Sequence, residues 1–485
     1  GRSGSGKSTL LRQMKPSVAP AGERSGAVHV NLAPGDISIV GQNPDSQLVL
    51  SSVAEDLVFE MENLGYERGH MRKRLAETVG FFGLEALLGR NPLELSGGQK
   101  QIVALCAALM TDPRLLLLDE PVSQLDPIAA QNFLDTLARV HAELDITVVM
   151  TEHRLDRVLP YANRLAVLAE GRVAARGDLP EALRLLSREE DGLSGFIPAV
   201  PRFQLYWEEK TGAAAQPLCL TPGDMRRRTA AAALPPGPAG AETEGPGDRE
   251  PPLLRARDVF FAYAGGAEYI LRNLNFEARP RERVCLMGGN GAGKSTLLKL
   301  LAGGLKPLAG TVQTARSLRV AYLPQDIRAY FRFATVAEEL RFSAGGDAAA
   351  AEKAGAGFGL TPLLERHPFD LSGGEMQKTA LCCLLLSEAD LILLDEPTKS
   401  LDPFARDYLA ALLAQRETAV IAATHDLDFA ADFATRCAML FDGSIAYTLP
   451  PKAFFTGNRY YTTPLNLALR HLDAGIVSLR DVMPA

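Results

Sequence analysis

The chain is poor in the residues that staple or anchor small secreted and membrane proteins. Its 485 residues hold six cysteines, Cys106, Cys219, Cys285, Cys382, Cys383 and Cys437. None falls in a C-x-x-C pair, which removes the usual framework for a zinc or iron–sulfur site. Their scatter fits small buried apolar side chains in a reducing compartment. No apolar run approaches the roughly 20 residues that a membrane-spanning helix needs. Positive charge is also short: 51 Lys and Arg against 58 Asp and Glu give a net charge of -7, which argues against a broad nucleic-acid-binding surface. Hydrophobic content of 47% and charged content of 22% are ordinary for globular domains, and the length calls for more than one of them.

One stretch is present twice. Leu95-Ser96-Gly97-Gly98-Gln99 is followed by Leu115-Leu116-Leu117-Leu118, Asp119-Glu120-Pro121 and Ser123-Gln124-Leu125-Asp126. Later come Leu371-Ser372-Gly373-Gly374-Glu375, Leu391-Ile392-Leu393-Leu394, Asp395-Glu396-Pro397 and Ser400-Leu401-Asp402. About 23 positions separate Ser from Asp in each copy, a fixed interval that marks a repeat. The Ser-Gly-Gly turn ahead of a helix exposes N–H groups to an anion. The apolar run reads as a buried parallel strand, and carboxylates at its C-terminal end sit where open α/β sheets bind ligands.

Each copy has a phosphate-binding loop upstream, G-x-x-x-x-G-K-[ST]. The first is Gly1-Arg2-Ser3-Gly4-Ser5-Gly6-Lys7-Ser8-Thr9, and the second is Gly288-Gly289-Asn290-Gly291-Ala292-Gly293-Lys294-Ser295-Thr296. Glycines let the backbone wrap phosphates, Lys7 and Lys294 reach the β- and γ-phosphates, and the Ser8 and Ser295 hydroxyls can ligate Mg²⁺. The second loop follows the apolar strand Arg283–Met287. The first opens the sequence with no strand before it, so domain 1 is expected to lack its N-terminal part, a segment of about 30–40 residues on the pattern of domain 2.

This ordered set resembles the nucleotide-binding domain of ABC transporters, with the signature, the Walker B strand and the D-loop in sequence. The resemblance implies an α/β fold: two P-loop NTPase domains, each a mostly parallel sheet core with a helical subdomain and an antiparallel β part, the last largely missing from domain 1. It assigns Gln42 and Gln325 as Q-loop glutamines, which sense Mg²⁺ and the attacking water, and His153 and His425 as switch histidines on the γ-phosphate. Asp119 and Asp395 would hold the Mg²⁺ shell, joined by Ser8, Gln42, Ser295 and Gln325. Glu120 and Glu396 would orient or deprotonate water, a role worth roughly 10²–10⁴ in rate. Tyr263 matches the aromatic that stacks on adenine. The implied ATP contacts are Gly4, Gly6, Lys7, Ser8, Thr9, Gln42, Ser96, Gly97, Gly98, Tyr263, Gly291, Gly293, Lys294, Ser295, Thr296, Gln325, Ser372, Gly373 and Gly374. In the family, domains pair head to tail. That pairing would join Lys7 and Ser8 to Ser372-Gly373-Gly374, and Lys294 and Ser295 to Ser96-Gly97-Gly98.

The expected organisation is domain 1 over 1–195, a linker over 196–252, domain 2 over 253–450 and a tail over 451–485. Strands are expected over 36–40, 146–150 and near 164–176, helix over 127–143, and a charged helical subdomain over 53–90. The linker, about 56 residues with a reach of roughly 40 Å as flexible coil, has aromatic anchors near its start that would dock on a domain. Its Ala-, Pro- and Gly-rich part, 229–252, reads as disordered.

Two segments narrow the kind of ABC protein. Gln42-Asn43-Pro44-Asp45-Ser46-Gln47-Leu48 resembles the Q-loop of energy-coupling factor (ECF) ATPases, which drive uptake of vitamins and metal ions. The tail Ala453-Phe454-Phe455-Thr456-Gly457-Asn458-Arg459-Tyr460-Tyr461-Thr462-Thr463 resembles the C-terminal segment of fused two-domain members, and Pro217–Gly223 is a weaker match. That resemblance implies ATP and Mg²⁺ as cofactors and a peripheral place on the cytoplasmic face of the membrane. The implied partners are a membrane coupling subunit and a substrate-binding membrane subunit, with no nucleic acid. The tandem ATPase of a sugar importer and a soluble ABC-F-type translation factor are the alternatives.

Overall fold

The computed structural model describes every residue except 2–3, 124, 189–192, 231–249, 266–267, 400 and 484–485. Gln124 and Ser400 of the two D-loops, and most of the stretch expected to be disordered, therefore lie outside the described residues. The chain divides into two units, Gly1–Ala182 and Leu183–Ala485.

In the first unit, α1 (Lys7–Gln13) follows the P-loop and β1 (Ile37–Val40) runs into the Q-loop. Helices α2 (Val53–Asn63) and α3 (Arg68–Phe82) make the helical subdomain, and α4 (Gly97–Leu109) starts at the signature. Next come β2 (Leu115–Asp119), α5 (Pro127–Leu144) and β3 (Thr147–Thr151). A hairpin of β4 (Arg164–Ala169) and β5 (Arg172–Asp178) leads into α6 (Leu179–Arg188), inside which the unit boundary falls.

Strands β1, β2 and β3 form a parallel sheet in that order. The alternation of side chains along β2 builds both of its cores. Leu116 and Leu118 pack with Leu105 and Leu109 of α4 and Phe133 and Leu137 of α5. Leu115 and Leu117 pack with Leu11 of α1. Each fully buried leucine stabilises by roughly 1.5–3 kcal/mol. Helix starts are chemically specified: Ser96 and Gln99 form a reciprocal capping box at α4, and the Asp126 carboxylate accepts from the N–H groups of Ile128 and Ala129 at α5, with Pro127 in the first turn.

The second unit opens with α7 (Ala199–Thr211) and α8 (Pro222–Thr229). Strands β6 (Leu254–Phe261) and β7 (Leu271–Ala278) precede β8 (Arg283–Met287), which feeds the second P-loop and α9 (Lys294–Leu301). Then follow β9 (Ala309–Thr314), β10 (Val320–Leu323), α10 (Val336–Ser343), α11 (Ala348–Gly357) and α12 (Gly373–Leu386). The unit ends with β11 (Leu391–Asp395), α13 (Pro403–Ala414), β12 (Ala419–Ala423), α14 (Leu427–Phe433), β13 (Arg436–Phe441), β14 (Ser444–Leu449), α15 (Pro451–Gly457) and α16 (Pro464–Leu469).

Its main sheet has the order β10-β11-β12-β8-β13-β14, parallel except for the hairpin strand β14. A separate antiparallel sheet has the order β7-β6-β9. The fold class is thus the expected one, α/β with P-loops at the strand ends, and the antiparallel part appears in the second unit.

Flexible coil over the whole linker is not what forms. Helices α7 and α8 pack with α16 and the residues after it into a small core of Val200, Phe203, Cys219, Met225, Leu465, Leu469, Ile476 and Val482. Apolar residues on both segments are the cause, because neither could bury them alone. Asn466 ties the end of the chain down by donating to the carbonyls of Ala474 and Ile476 at 3.0 and 2.7 Å.

Candidate functional site

Each unit gathers its own set of motif residues at the C-terminal ends of its parallel strands. In the first unit the P-loop glycines Gly4 and Gly6 have φ of 77° and 91°. A side chain there would be strained, and the positive φ values turn the loop. Lys7 at the start of α1 donates from Nζ to the Gly1 carbonyl at 3.0 Å and lies 3.3 Å from His153 Nδ1. Ser8 Oγ donates to Asp119 Oδ1 at 2.8 Å, and Thr151 Oγ1 donates to the same oxygen at 2.8 Å. Gln42 Nε2 donates to Glu120 Oε2 at 2.9 Å, and His153 Nε2 meets Glu120 Oε1. Lysine can only donate, so His153 accepts at Nδ1 and carries its proton at Nε2, facing the carboxylate.

Glu120 is held with φ of 51°, and Glu396 with φ of 53°. A left-handed glutamate is uncommon. In both units the backbone N–H pins it to the neighbouring strand: Glu120 to the Thr151 carbonyl at 3.1 Å, Glu396 to the Ala423 carbonyl at 2.9 Å. The carboxylate thereby stands off the end of the strand, which motif spacing alone does not disclose.

In the second unit Lys294 Nζ donates to the carbonyls of Gly288 and Gly289 at 2.8 and 2.9 Å and lies 3.2 Å from His425 Nε2. Ser295 Oγ donates to Asp395 Oδ1 at 3.1 Å. His425 also donates its backbone N–H to Glu396 Oε2 at 3.3 Å, while its Nε2 stands 3.4 Å from Glu396 Oε1. Burial pushes the Glu396 and Asp395 carboxyls up and the Lys294 ammonium down; the Lys294 charge opposes the first two shifts and both carboxylates oppose the third. Tyr263 lies just past β6, exposed by 44%, with its hydroxyl 3.2 Å from Thr296 Oγ1. Gly293 has φ of 102°, and a Cβ there would come within 2.9 Å of Leu271 Cδ2.

Ser96 and Ser372 cap α4 and α12, with Gly97-Gly98 and Gly373-Gly374 forming the first helical turn. Thr9 is exposed on α1, and Gln325 is exposed beyond β10. Two residues not singled out by their motifs stand in these sites. Thr151 adds a second hydroxyl to Asp119, and Glu152 is a carboxyl only 8% exposed, beside the switch histidine.

The donor pairs Ser8–Asp119 and Ser295–Asp395 are hard oxygens that converge beside a phosphate loop, and they fit a magnesium ion that completes its shell on phosphates. Among the described residues no group of three or more His, Cys, Asp or Glu could hold a metal.

Fold and sites together define a protein with two P-loop nucleotide-binding domains in tandem. The family model for ABC transporters matches residues 1–123 and 271–399. An ABC transporter ATP-binding protein of Bacillus thuringiensis subsp. konkukian is 39% identical over 516 residues, covering 100% of this chain and 92% of that one. One of Streptomyces avermitilis is 35% identical, covering 92% and 87%. No substrate appears in either name. Among solved structures, a model of ribosome-bound archaeal Pelota and ABCE1 matches with TM-score 0.59 at 22% identity, over 87% of this chain and 66% of that one, a likeness of fold. The chain belongs to the ABC transporter ATP-binding family and is an ATPase.

Proposed function

We propose that the chain is the ATP-hydrolysing subunit of an ABC importer of the energy-coupling factor type, powering uptake of a vitamin or metal ion through separate membrane subunits. The observation that carries this reading is the small helical body of the second unit. The segments that resemble fused ECF ATPases, around Pro217–Gly223 and 453–463, both contribute to it or lead into it: Cys219 lies in its core, and Thr463 Oγ1 caps α16 by accepting from the Asn466 N–H at 3.2 Å and donates to the Val477 carbonyl at 2.6 Å. In the described residues no helix is long and apolar enough to cross a membrane, so the reading places the transport path in partner chains, with this subunit peripheral on the cytoplasmic face.

The chemistry follows from the residues. Lys7 and Lys294 would neutralise phosphate charge, and the backbone of each Gly-rich loop would bind phosphate oxygens. Ser8 with Asp119, and Ser295 with Asp395, would hold Mg²⁺, which when bound supplies charge neutralisation on the β- and γ-phosphates. Gln42 and Gln325 would orient water, as would Glu120 and Glu396, which would also take its proton; His153 and His425 would contact the γ-phosphate. The domains would pair head to tail, each ATP held by the P-loop of one and the Ser-Gly-Gly turn of the other.

The test is co-expression with a membrane coupling subunit and a substrate-binding membrane subunit of the energy-coupling factor type. Recovery of the chain in the membrane fraction with them supports an importer. Sedimentation with ribosomes instead, independent of membranes, would establish the translation-factor alternative.

A further inference from the structure

Glu152 is a buried carboxyl beside the first site that the roles above leave unused. It sits between Thr151, which bonds Asp119, and His153, which bonds Glu120. Its Oε1 accepts the backbone N–H of Val122 at 3.2 Å, in the turn that runs from Glu120 into the D-loop. Ser123 closes the same turn by donating from Oγ to the Glu120 carbonyl at 2.9 Å. The charged groups facing the carboxyl are Glu120 and Asp119, both of like sign. The second unit is built differently. Thr424 occupies the matching place, and its hydroxyl accepts from the N–H of Asp426, at the start of α14, at 3.0 Å. In the first unit the Glu152 side chain thus spans the gap between the switch-histidine segment and the D-loop turn.

We propose that Glu152 is a positioning residue for ATP hydrolysis at the first site, a latch that holds the D-loop turn and the switch-histidine segment in one register so that Glu120 and His153 meet. A carboxyl buried among like charges carries a cost that a threonine would avoid. What it provides is the acceptor for Val122, and with it a fixed distance between two segments that must stay aligned with the reacting water. Small misplacements of such groups cost up to about 100-fold in rate.

The inference rests on the reading of Glu120 and His153 as the reacting groups, and the experiment separates the two. Three variants of the full chain are compared with the parent: Glu152→Gln keeps the acceptor oxygen, Glu152→Met keeps the volume without it, and Glu152→Thr installs the residue of the second unit. Hydrogen exchange of the 121–126 segment reads the latch directly, without nucleotide. Exchange should accelerate by about tenfold or more in the Met and Thr variants and stay near the parent in the Gln variant. Turnover should fall by about tenfold in the Met and Thr variants with KM for ATP within about twofold, and the Gln variant should recover it. Thermal midpoints identify any variant that fails to fold, and the remaining two still decide the question. Unchanged exchange in the Met and Thr variants refutes the latch. Changed exchange with unchanged turnover refutes the positioning role. Glu120→Gln run beside them reads the underlying assignment: if that variant hydrolyses ATP like the parent, the reading of Glu120 fails rather than that of Glu152.

Discussion

β3 and β12 hold the same place in the two repeats, each following the helix after the D-loop and ending at the switch histidine. Yet β12 is buried at every residue and β3 at none. The cause is the neighbour. β12 lies between β11 and β8, both parallel to it, whereas β3 pairs with β2 alone among the described residues. A central parallel strand is covered on both faces and both edges; one with a single partner is not.

The two sites also hold their charged groups differently. Around Lys294 and Glu396, burial presses both groups toward their neutral forms. His425 turns one ring nitrogen toward both of them, whereas His153 places one nitrogen on Lys7 and the other on Glu120. Glu120 is gripped by the Gln42 and His153 side chains, Glu396 by the His425 ring and backbone N–H. Identical motif order therefore does not give identical sites: the motif supplies the groups, and the contacts around each glutamate decide how it is held.

The strongest way to break the comparison is to remove both glutamates. Glu120→Gln with Glu396→Gln should lower turnover by at least about 100-fold while ATP still binds, since each amide keeps shape but cannot take a proton. The single variants then apportion the rate. If each alone abolishes turnover, the sites act together as head-to-tail pairing requires; if each leaves half, they act independently. Hydrolysis by the double variant near the parent rate would remove both residues from the mechanism.

A second prediction uses Glu152, whose place Thr424 takes in the second unit. Burial, with Glu120 and Asp119 nearby, pushes Glu152 from the usual 4.5 up to about 8, against the N–H groups of Val122 and His153. Below the unfolded value both states are protonated and the group costs no charge burial. As pH rises from there to about 8 the unfolded chain ionises while the folded one resists, so stability falls; above the folded value the cost is complete. Glu152→Gln does not titrate. Its gain in thermal midpoint over the parent, without nucleotide or magnesium, should be at least about 3 °C larger near pH 8.5 than near pH 5. A gain that is flat across this window would mean that the carboxyl does not hold its proton.

Much of this was legible beforehand because the informative residues are contiguous. Both P-loops, both signatures and both Asp-Glu pairs read directly, and the strand at Leu115–Leu118 and the helix from Pro127 formed as expected. What stayed hidden depends on contacts across long separations. The core of α7, α8 and α16 joins Phe203 to Leu469; the aromatic anchors near the linker's start point to docking, but nothing local names a partner so far along the chain. Glu152 was invisible for another reason: a glutamate in sequence reads as surface, and only the fold shows it turned inward to the Val122 N–H.

The smallest effect concerns the base of ATP at the second site. Tyr263 is half exposed, its ring set edge-on to Phe261 at 89° with centroids 5.0 Å apart, and its hydroxyl reaches Thr296 of α9. Phe261 packs in the core with Leu271 and Leu297 and braces the Tyr263 ring, which stays 44% exposed. An exposed, braced ring suits stacking on adenine, worth roughly 1–3 kcal/mol. Tyr263→Ala, measured by ATP titration in a Lys7→Ala background so that the second site reports, should weaken binding by about tenfold or more. Tyr263→Phe keeps the ring and loses only a half-exposed bond to a threonine, so its affinity should stay within about threefold of the parent. Should the Phe variant bind as weakly as the Ala variant, the hydroxyl would be setting the position of Thr296 beside the P-loop, and adenine would have to be held elsewhere.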